Sequence, residues 1–329
     1  MSRALLLISL CMLQCSILTA GSFKTRLSAE GGIYHSSSRL ISQEYLLSRL
    51  DLSANYTFVK PRLKFNMSSR LRPEMYLSSS QNLSTKFDVA TALQFQPAKR
   101  FSTQIGLSYQ SEQLAEASAG IRVYELGTRL AWRMSSRFIS SVQIKAIGSE
   151  FELASSTEID ALNLAMFLEQ RFRRSIKLSY AFHIGSYRAR DPILSLQSWR
   201  LGPQLGLSYR KSFSLDLTYR LLALRLQDKL ENGVEHYFQL VAGKIVTSKW
   251  SIFLLAEGYF RDFSDTIALT DAFLFLPSET ENRFHIKLER DISDKTSFYI
   301  KSGYQRSDLL LRDVRFAGLQ AVIGITYRH

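Results

Sequence analysis

The chemistry open to this chain is carried by basic side chains set on one phase of an alternating pattern. Lys24, Arg26, Arg49, Lys64, Arg70, Arg72, Lys86, Arg129, Lys145, Lys177, Arg200, Arg220, Lys287 and Lys301 all fall on the polar phase of segments in which every second residue is apolar. A period of two places alternate side chains on opposite faces of a strand, so these cations would share a face. Such a face concentrates anions and repels cations, and rings of Arg or Lys are how anion pores are made. Acids on the same phase are fewer: Glu30, Asp51, Asp88, Glu169, Asp216, Glu257 and Glu289. The competing role for the set is plain charge pairing between neighbouring strands, which would stiffen a wet interior without selecting anything.

Other chemistries find less support. His35, His183, His236, His285 and His329 sit in no nucleophile elbow and no zinc-type His pair, so neither catalysis nor a metal site is expected, although a rim site assembled from distant strands stays open. No cofactor motif is present either. The carboxylates Glu112, Glu116, Glu150, Glu152, Glu158, Asp228, Glu231, Glu235, Asp262, Asp265, Glu279 and Glu281 gather in polar connections, where they suit divalent-cation bridging to anionic lipid or simply a solvated rim. The formal charge of +13, from 42 Lys+Arg against 29 Asp+Glu, does not point to nucleic acid, because the cations alternate along strands instead of forming a reader motif.

The elements that must position these groups are long strands. In LGLSYRKSFSLDLTYR, residues 205 to 220, Leu205, Leu207 and Tyr209 alternate with Gly206, Ser208 and Arg210, and the alternation resumes from Phe213 to Tyr219 after a basic turn. Phe101 to Tyr109 and Ile176 to Ile184 repeat it. Soluble strands average about five or six residues, whereas a tilted strand crossing a bilayer needs about nine to eleven. Tight basic turns occur at 59–62, 97–100, 134–137, 170–175, 210–212, 247–249 and 291–295, and longer polar connections at 35–43, 73–83, 111–117, 148–158, 188–197, 226–235, 262–281 and 306–313. Seven short turns alternating with eight longer connections predict sixteen strands; fourteen follows if one strand has been split, eighteen if 262–282 forms an extra pair.

The first 21 residues have an early Arg3, an apolar run and then small residues, the pattern of a cleaved export signal. Cleavage is expected after Ala20 or Gly21, leaving residues 22–329 as one domain. Both cysteines, Cys11 and Cys15, lie in that leader, so the remainder has no disulfide to stabilise it. With 46% hydrophobic and 12% aromatic residues, the chain needs a large core or a lipid solvent, yet no apolar run after the leader is long enough for a spanning helix. In hydrocarbon every backbone N–H and C=O must be paired within the protein, which leaves a sheet without edges. Tyr56, Phe58, Phe95, Phe101, Tyr109, Trp132, Phe138, Tyr180, Tyr209, Phe213, Trp250 and Tyr327 lie on the apolar phase, several beside the short turns, where an interfacial girdle belongs.

These features resemble the bacterial outer-membrane β-barrels of the porin type, by architecture and over nearly the whole chain after the leader. The last strand, with Leu319, Ala321, Ile323, Ile325 and Tyr327 in one phase, has the register such barrels carry at the C-terminus, but it ends on His329 where an aromatic residue is usual. The resemblance implies an all-β, transmembrane, antiparallel up-and-down barrel in the outer membrane. Its implied partners are outer-membrane lipid, the barrel-assembly machinery and small solutes, with a homo-oligomer possible by analogy. The expected function is a passive channel for small hydrophilic, preferentially anionic solutes. The alternatives are a structural or assembly barrel, for which outward Ser48, Ser69, Ser140 and Ser302 would mark a partner, then a hydrophobic-solute channel or an outer-membrane enzyme.

Two stretches fit the pattern badly. Pro203 lies inside a strand of a sheet with no free edge, so a bulge is expected there. Strands near 221–260 are apolar on both phases, with Leu222, Leu224, Val241, Ile245, Phe253 and Leu255 facing inward. Either the apolar part of 262–282, with Ile267, Leu269, Phe273, Phe275 and Leu276, folds in as a constriction loop and covers them, or a hydrophobic solute passes there.

Overall fold

The computed structural model describes residues 21–37, 42–77, 81–113, 120–152, 156–190, 195–226, 232–263, 281–308 and 315–329. These form sixteen strands: β1 Ser22–Ser37, β2 Ser42–Lys60, β3 Leu63–Leu77, β4 Gln81–Ala98, β5 Phe101–Gln113, β6 Gly120–Arg133, β7 Phe138–Glu152, β8 Ser156–Arg173, β9 Ile176–Arg190, β10 Ser195–Arg210, β11 Ser214–Leu226, β12 Asn232–Ile245, β13 Trp250–Phe263, β14 Glu281–Asp291, β15 Thr296–Asp308 and β16 Arg315–Arg328. Each pairs antiparallel with its neighbours in sequence, and β16 pairs with β1 from Arg26↔Arg328 to Ser37↔Ala317. The sheet is therefore a closed up-and-down barrel, and every strand has two ladders to satisfy its backbone.

All seven short turns fall where the basic punctuation predicts them. Three share one signature, an apolar residue, Ser or Thr, Ser or Asp, then a cation: Met134–Arg137, Val246–Lys249 and Ile292–Lys295. In each the first residue's N–H donates to the carbonyl of the strand that follows, Met134 to Phe138 at 3.1 Å, Val246 to Trp250 at 2.8 Å and Ile292 to Thr296 at 2.9 Å. The hydroxyls of Ser135, Thr247 and Ser293 accept the returning N–H of Phe138, Trp250 and Thr296 at 3.2, 3.2 and 3.1 Å. A short polar side chain thus replaces the backbone partner that a reversal removes.

At the other end the strands run further than the hydropathy alternation does. They span 11 to 19 residues, so parts of the predicted connections at 73–83, 111–117, 148–158 and 226–235 are strand: Glu74 is in β3, Glu112 in β5, Glu150 in β7 and Glu235 in β12. Alternation records only the depth at which one face must be apolar, whereas ladder hydrogen bonds continue beyond it. The connections themselves lie outside the described residues, and with them Glu116, Asp228, Glu231, Asp265 and Glu279.

The bulge expected at Pro203 is not formed. Its register against β9 is unbroken through Gly202↔His183 and Pro203↔Phe182. Against β11 the pairing lapses after Leu201↔Ala223 and resumes in the same register at Gln204↔Arg220. A missing donor costs one ladder bond, and Gly202 keeps the strands close, since a Cβ there would stand 1.9 Å from the Leu221 carbonyl. Pro73 behaves alike, with the β2 ladder lapsing between Arg49↔Glu74 and Leu52↔Leu71. Register shifts occur instead beside two short turns, at Phe95/Ala98 and at Arg171/Arg173.

The two faces of the cylinder differ as the period of two requires. The outer face exposes Leu27, Leu46, Leu83, Leu107, Leu126, Leu162, Leu205, Phe260, Ile286 and Ile323 among many others, and the aromatic set from Tyr56 to Tyr327 shares it. The packed core is inside: Ile121, Ile159, Ala161, Tyr187 and Ala189 bury one another on β6, β8 and β9 with Val123 and Ile147 against them.

Candidate functional site: the charged interior

The concave face is identified by contacts that only convergence permits. Lys301 on β15 reaches Glu30 on β1 at 2.9 Å, passing over β16. By register, Lys24, Arg26, Arg49, Lys64, Arg70, Arg72, Lys86, Arg129, Lys145, Lys177, Arg200, Arg220, Lys287 and Lys301 all share that face. So do the acids Glu30, Asp51, Asp88, Glu169, Asp216, Glu257 and Glu289.

Most of these cations are paired, and the pairing has a pattern. Glu30 holds Arg49 at 2.9 Å and Lys301 at 2.9 Å. Glu74 holds Arg49 and Arg72, both at 2.8 Å. Glu169 takes Arg129 at 3.0 Å and Lys177 at 3.5 Å. Glu235 takes Arg261 at 2.9 Å and Arg220 at 3.3 Å, while Glu289 takes Lys287 at 2.7 Å and also Arg328. In each case one carboxylate is shared by two cations. One-to-one pairs complete the belt: Lys86–Glu112 at 2.5 Å, Lys145–Glu125 at 2.8 Å, Arg283–Glu257 at 2.6 Å and Arg70–Asp51. Lys24, Arg26 and Lys64, near the short turns, are exposed and have no ion pair among the described residues.

The belt is buttressed by aromatic residues packed over glycines. Tyr299 lies across Gly324, where an added Cβ would stand 2.5 Å from the ring, and its hydroxyl donates to Glu30 at 2.7 Å. The first strand is thereby held twice, by its ladder with β16 and by a tyrosine and a lysine of β15 that reach over that strand. On β12 and β13 Tyr237 packs against Tyr259 as a tilted pair, 4.6 Å between ring centres, and donates to Glu257 at 2.7 Å. The Arg200 guanidinium lies 3.6 Å over the Tyr187 ring and is buried. A cation on an aromatic face in a desolvated setting is worth about 2 kcal/mol.

Burial divides the interior along its axis. Toward the long connections, inward side chains are buried on most strands, including Leu47, Glu74, Ser84, Ile121, Ser149, Ile159, Tyr187, Arg200, Leu222, Leu224, Glu235 and Gln320. On β1, β13, β14 and β15 the corresponding side chains are half-buried, and β5 departs furthest, with inward Gln104, Ser108 and Gln110 exposed. The apolar wall splits likewise: Leu222 and Leu224 are covered, but Val241 is 39% exposed, Phe253 43% and Ile245 75%. The expected constriction residues Ile267, Leu269, Phe273, Phe275 and Leu276 lie outside the described residues.

Several interior residues escape a reading of the sequence. Glu74, Glu112 and Glu235 sit in stretches that read as connections, and Glu125, Arg261, Arg283 and Arg328 are recovered by extending the alternation of their own strands to its ends. His35 stands at the rim, 3.6 Å from Glu44. His236 faces outward against the Tyr219 hydroxyl at 2.8 Å, and His183 and His285 face inward against Gln204 at 3.0 Å and Gln320 at 3.1 Å.

No family model and no curated protein matches the sequence. Among solved structures, CdiB from Acinetobacter baumannii superposes with a TM-score of 0.50 at 9% identity over 93% of this chain, which spans 60% of the length of CdiB. OccAB4 from Acinetobacter baumannii gives 0.47 at 8% identity, covering 95% of this chain and 98% of that one. OmpT, an outer membrane protein of Vibrio cholerae, gives 0.46 at 12%, covering 94% and 100%. At such identities the likeness to CdiB is one of fold alone.

Proposed function

We propose that this barrel sits in the bacterial outer membrane as a porin-like channel through which small hydrophilic solutes pass, anions in preference to cations. The observation that carries this reading is the sharing of Glu30, Glu74, Glu169, Glu235 and Glu289 by two cations each. Pairing alone would cancel the field, as it does where Lys287 and Arg328 meet Glu289 and Asp291, but a positive surplus is left at Glu169, at Glu235 and at the joined group in which Arg49, Arg72 and Lys301 meet Glu30 and Glu74, and Lys24, Arg26 and Lys64 add to it at the short-turn end. The membrane rests on the outer face, because a continuous apolar belt around an edgeless sheet has hydrocarbon as its matching solvent. Residues 1–21 would be removed on export, which N-terminal sequencing of the protein from outer membranes tests.

Reversal potential in a KCl gradient across a planar bilayer is the direct test of the channel. Preference for chloride supports the reading and preference for potassium overturns it. Replacing Lys24, Arg26 and Lys64 together by glutamine is expected to reduce chloride preference while leaving the unfolding midpoint in place, since no ion pair is broken. The bilayer reading makes a second prediction. Leu126, mid-strand and outward, replaced by arginine should cost about 2–4 kcal/mol when the barrel folds into vesicles, while Ser108→Arg, inward and exposed, should be tolerated.

A non-conducting structural or assembly barrel is the second reading, and the burial of inward side chains toward the long connections favours it. A persistent open conductance supports the channel; silence with stable co-purification of a partner supports the scaffold.

A further inference from the structure

We infer that the short-turn half of the interior holds a binding site for amphipathic organic anions, molecules with a flat apolar group and a fixed negative charge. The inference rests on the reading of the interior as solute-accessible. Its starting point is a patch that the rest of the interior does not explain. Val241 and Ile245 on β12 and Phe253 on β13 share the inward face, and all three are exposed there, whereas Leu222 and Leu224 further along the same wall are covered. Water is a poor neighbour for such a surface, at about 25 cal/mol for each Å² left wet.

The patch is shaped for a flat ring. Gly243 pairs with Phe253, and a Cβ on Gly243 would stand 3.0 Å from the Phe253 ring, so the phenyl group lies over the glycine and presents its other side to the interior. A planar apolar group stacked on it would gain both area and aromatic contact.

The charge that orients such a ligand is the next residue along the sheet. Phe253 pairs on its far side with Lys287, whose ammonium lies 2.7 Å from Glu289 and 4.0 Å from the Tyr299 ring centre. Glu289 is also bonded by Arg328, which Asp291 shares at 3.5 Å, so these four charges balance, and Arg26, facing Arg328 across the ladder of β1 and β16 with no ion pair among the described residues, supplies the positive surplus on this side. On the other flank Val241 pairs with Asp216, itself bonded to Arg210 and so without surplus charge. An anion therefore finds a net attraction on the β14 side of the ring, where Lys287 stands next to it, which favours amphipathic anions over neutral or cationic aromatics.

The test is fluorine NMR of 4-fluorobenzenesulfonate with the refolded full-length protein in micelles. Fluorobenzene and trifluoroacetate, which lack the charge and the ring respectively, serve as comparators, and empty micelles as blank. The expected result is saturable broadening for the sulfonate only, weakened about tenfold by Phe253→Ser and also by Lys287→Gln. Circular dichroism and heat-dependent gel migration check that each variant is folded, and Val241→Ser gives a second lesion should either fail. Equal broadening in wild type and in the folded variants, or equal broadening by fluorobenzene, overturns the inference. So does broadening that appears only after residues 265–279 are deleted, because the patch would then be filled by the chain itself. Binding is read without current, so a barrel that binds but does not conduct would defeat the channel and leave the site standing, and a chloride-selective barrel that does not bind would do the reverse.

Discussion

Gly324→Val should abolish closure of the barrel under conditions in which Gly31→Ala leaves it intact. A side chain at 324 would meet the Tyr299 ring at 2.5 Å and the Ala29 carbonyl at 2.8 Å, and the carbonyl belongs to the partner strand and has nowhere to go. Displacing Tyr299 also removes its bond to Glu30, and with it part of what holds Lys301 and Arg49 in place. Overpacking costs about 1–3 kcal/mol and loss of a hydrogen bond to a charged group about 1.5–3 more, enough to remove much of the stability of an ordinary domain. Gly31, on β1 next to the ladder partner of Gly324, has nothing within 4 Å of an added Cβ, so alanine there should stay within about 0.5 kcal/mol. Urea unfolding in vesicles and migration on unheated gels read both variants; a normal Gly324→Val barrel would show that Tyr299 is not the clasp.

Glu235→Gln is expected to be the most damaging single charge change in the interior. Glu235 is fully buried between Arg220 and Arg261, so neutralising it leaves two guanidinium groups facing each other without their shared carboxylate. Breaking a buried pair by removing one partner costs about 3–5 kcal/mol. Adding Arg261→Gln should recover part of that loss, because the second change removes one of the stranded charges, and the double-mutant cycle measures the coupling. A Glu235→Gln barrel with an unchanged unfolding midpoint would mean that the cluster contributes nothing to stability. The same cycle at exposed Arg210 and Asp216 should give a coupling of about 0–1 kcal/mol.

The architecture was legible because one constraint governs nearly every residue. A barrel wall has two solvents, so alternation writes itself into strands such as Phe101–Tyr109 and Ile176–Ile184, and the tight turns are marked by small polar and basic residues that reversal chemistry selects. The inward placement of residues from Lys24 to Lys301 follows from phase alone. What phase does not reveal is company. Glu74 and Glu235 lie where hydropathy has already faded, yet each is the shared partner of two cations, Arg72 on the same strand and Arg49, Arg220 and Arg261 on adjoining strands, brought level only by the ladder register. Pro203 misleads for a related reason: a missing N–H reads as a forced irregularity, but Gly202 beside it absorbs the loss without a shift of register.

The clasp between Lys301, Tyr299 and Glu30 joins residues separated by 271 and 269 positions. Nothing local can assemble it, so the cylinder remains an open ribbon with two hungry margins until the whole polypeptide has been delivered. Chains stalled or trimmed before β16 would carry those margins permanently, ready to stick to one another. Guardianship during delivery is then a demand made by the closure itself, and β16, although last to arrive, decides whether all the preceding work is kept.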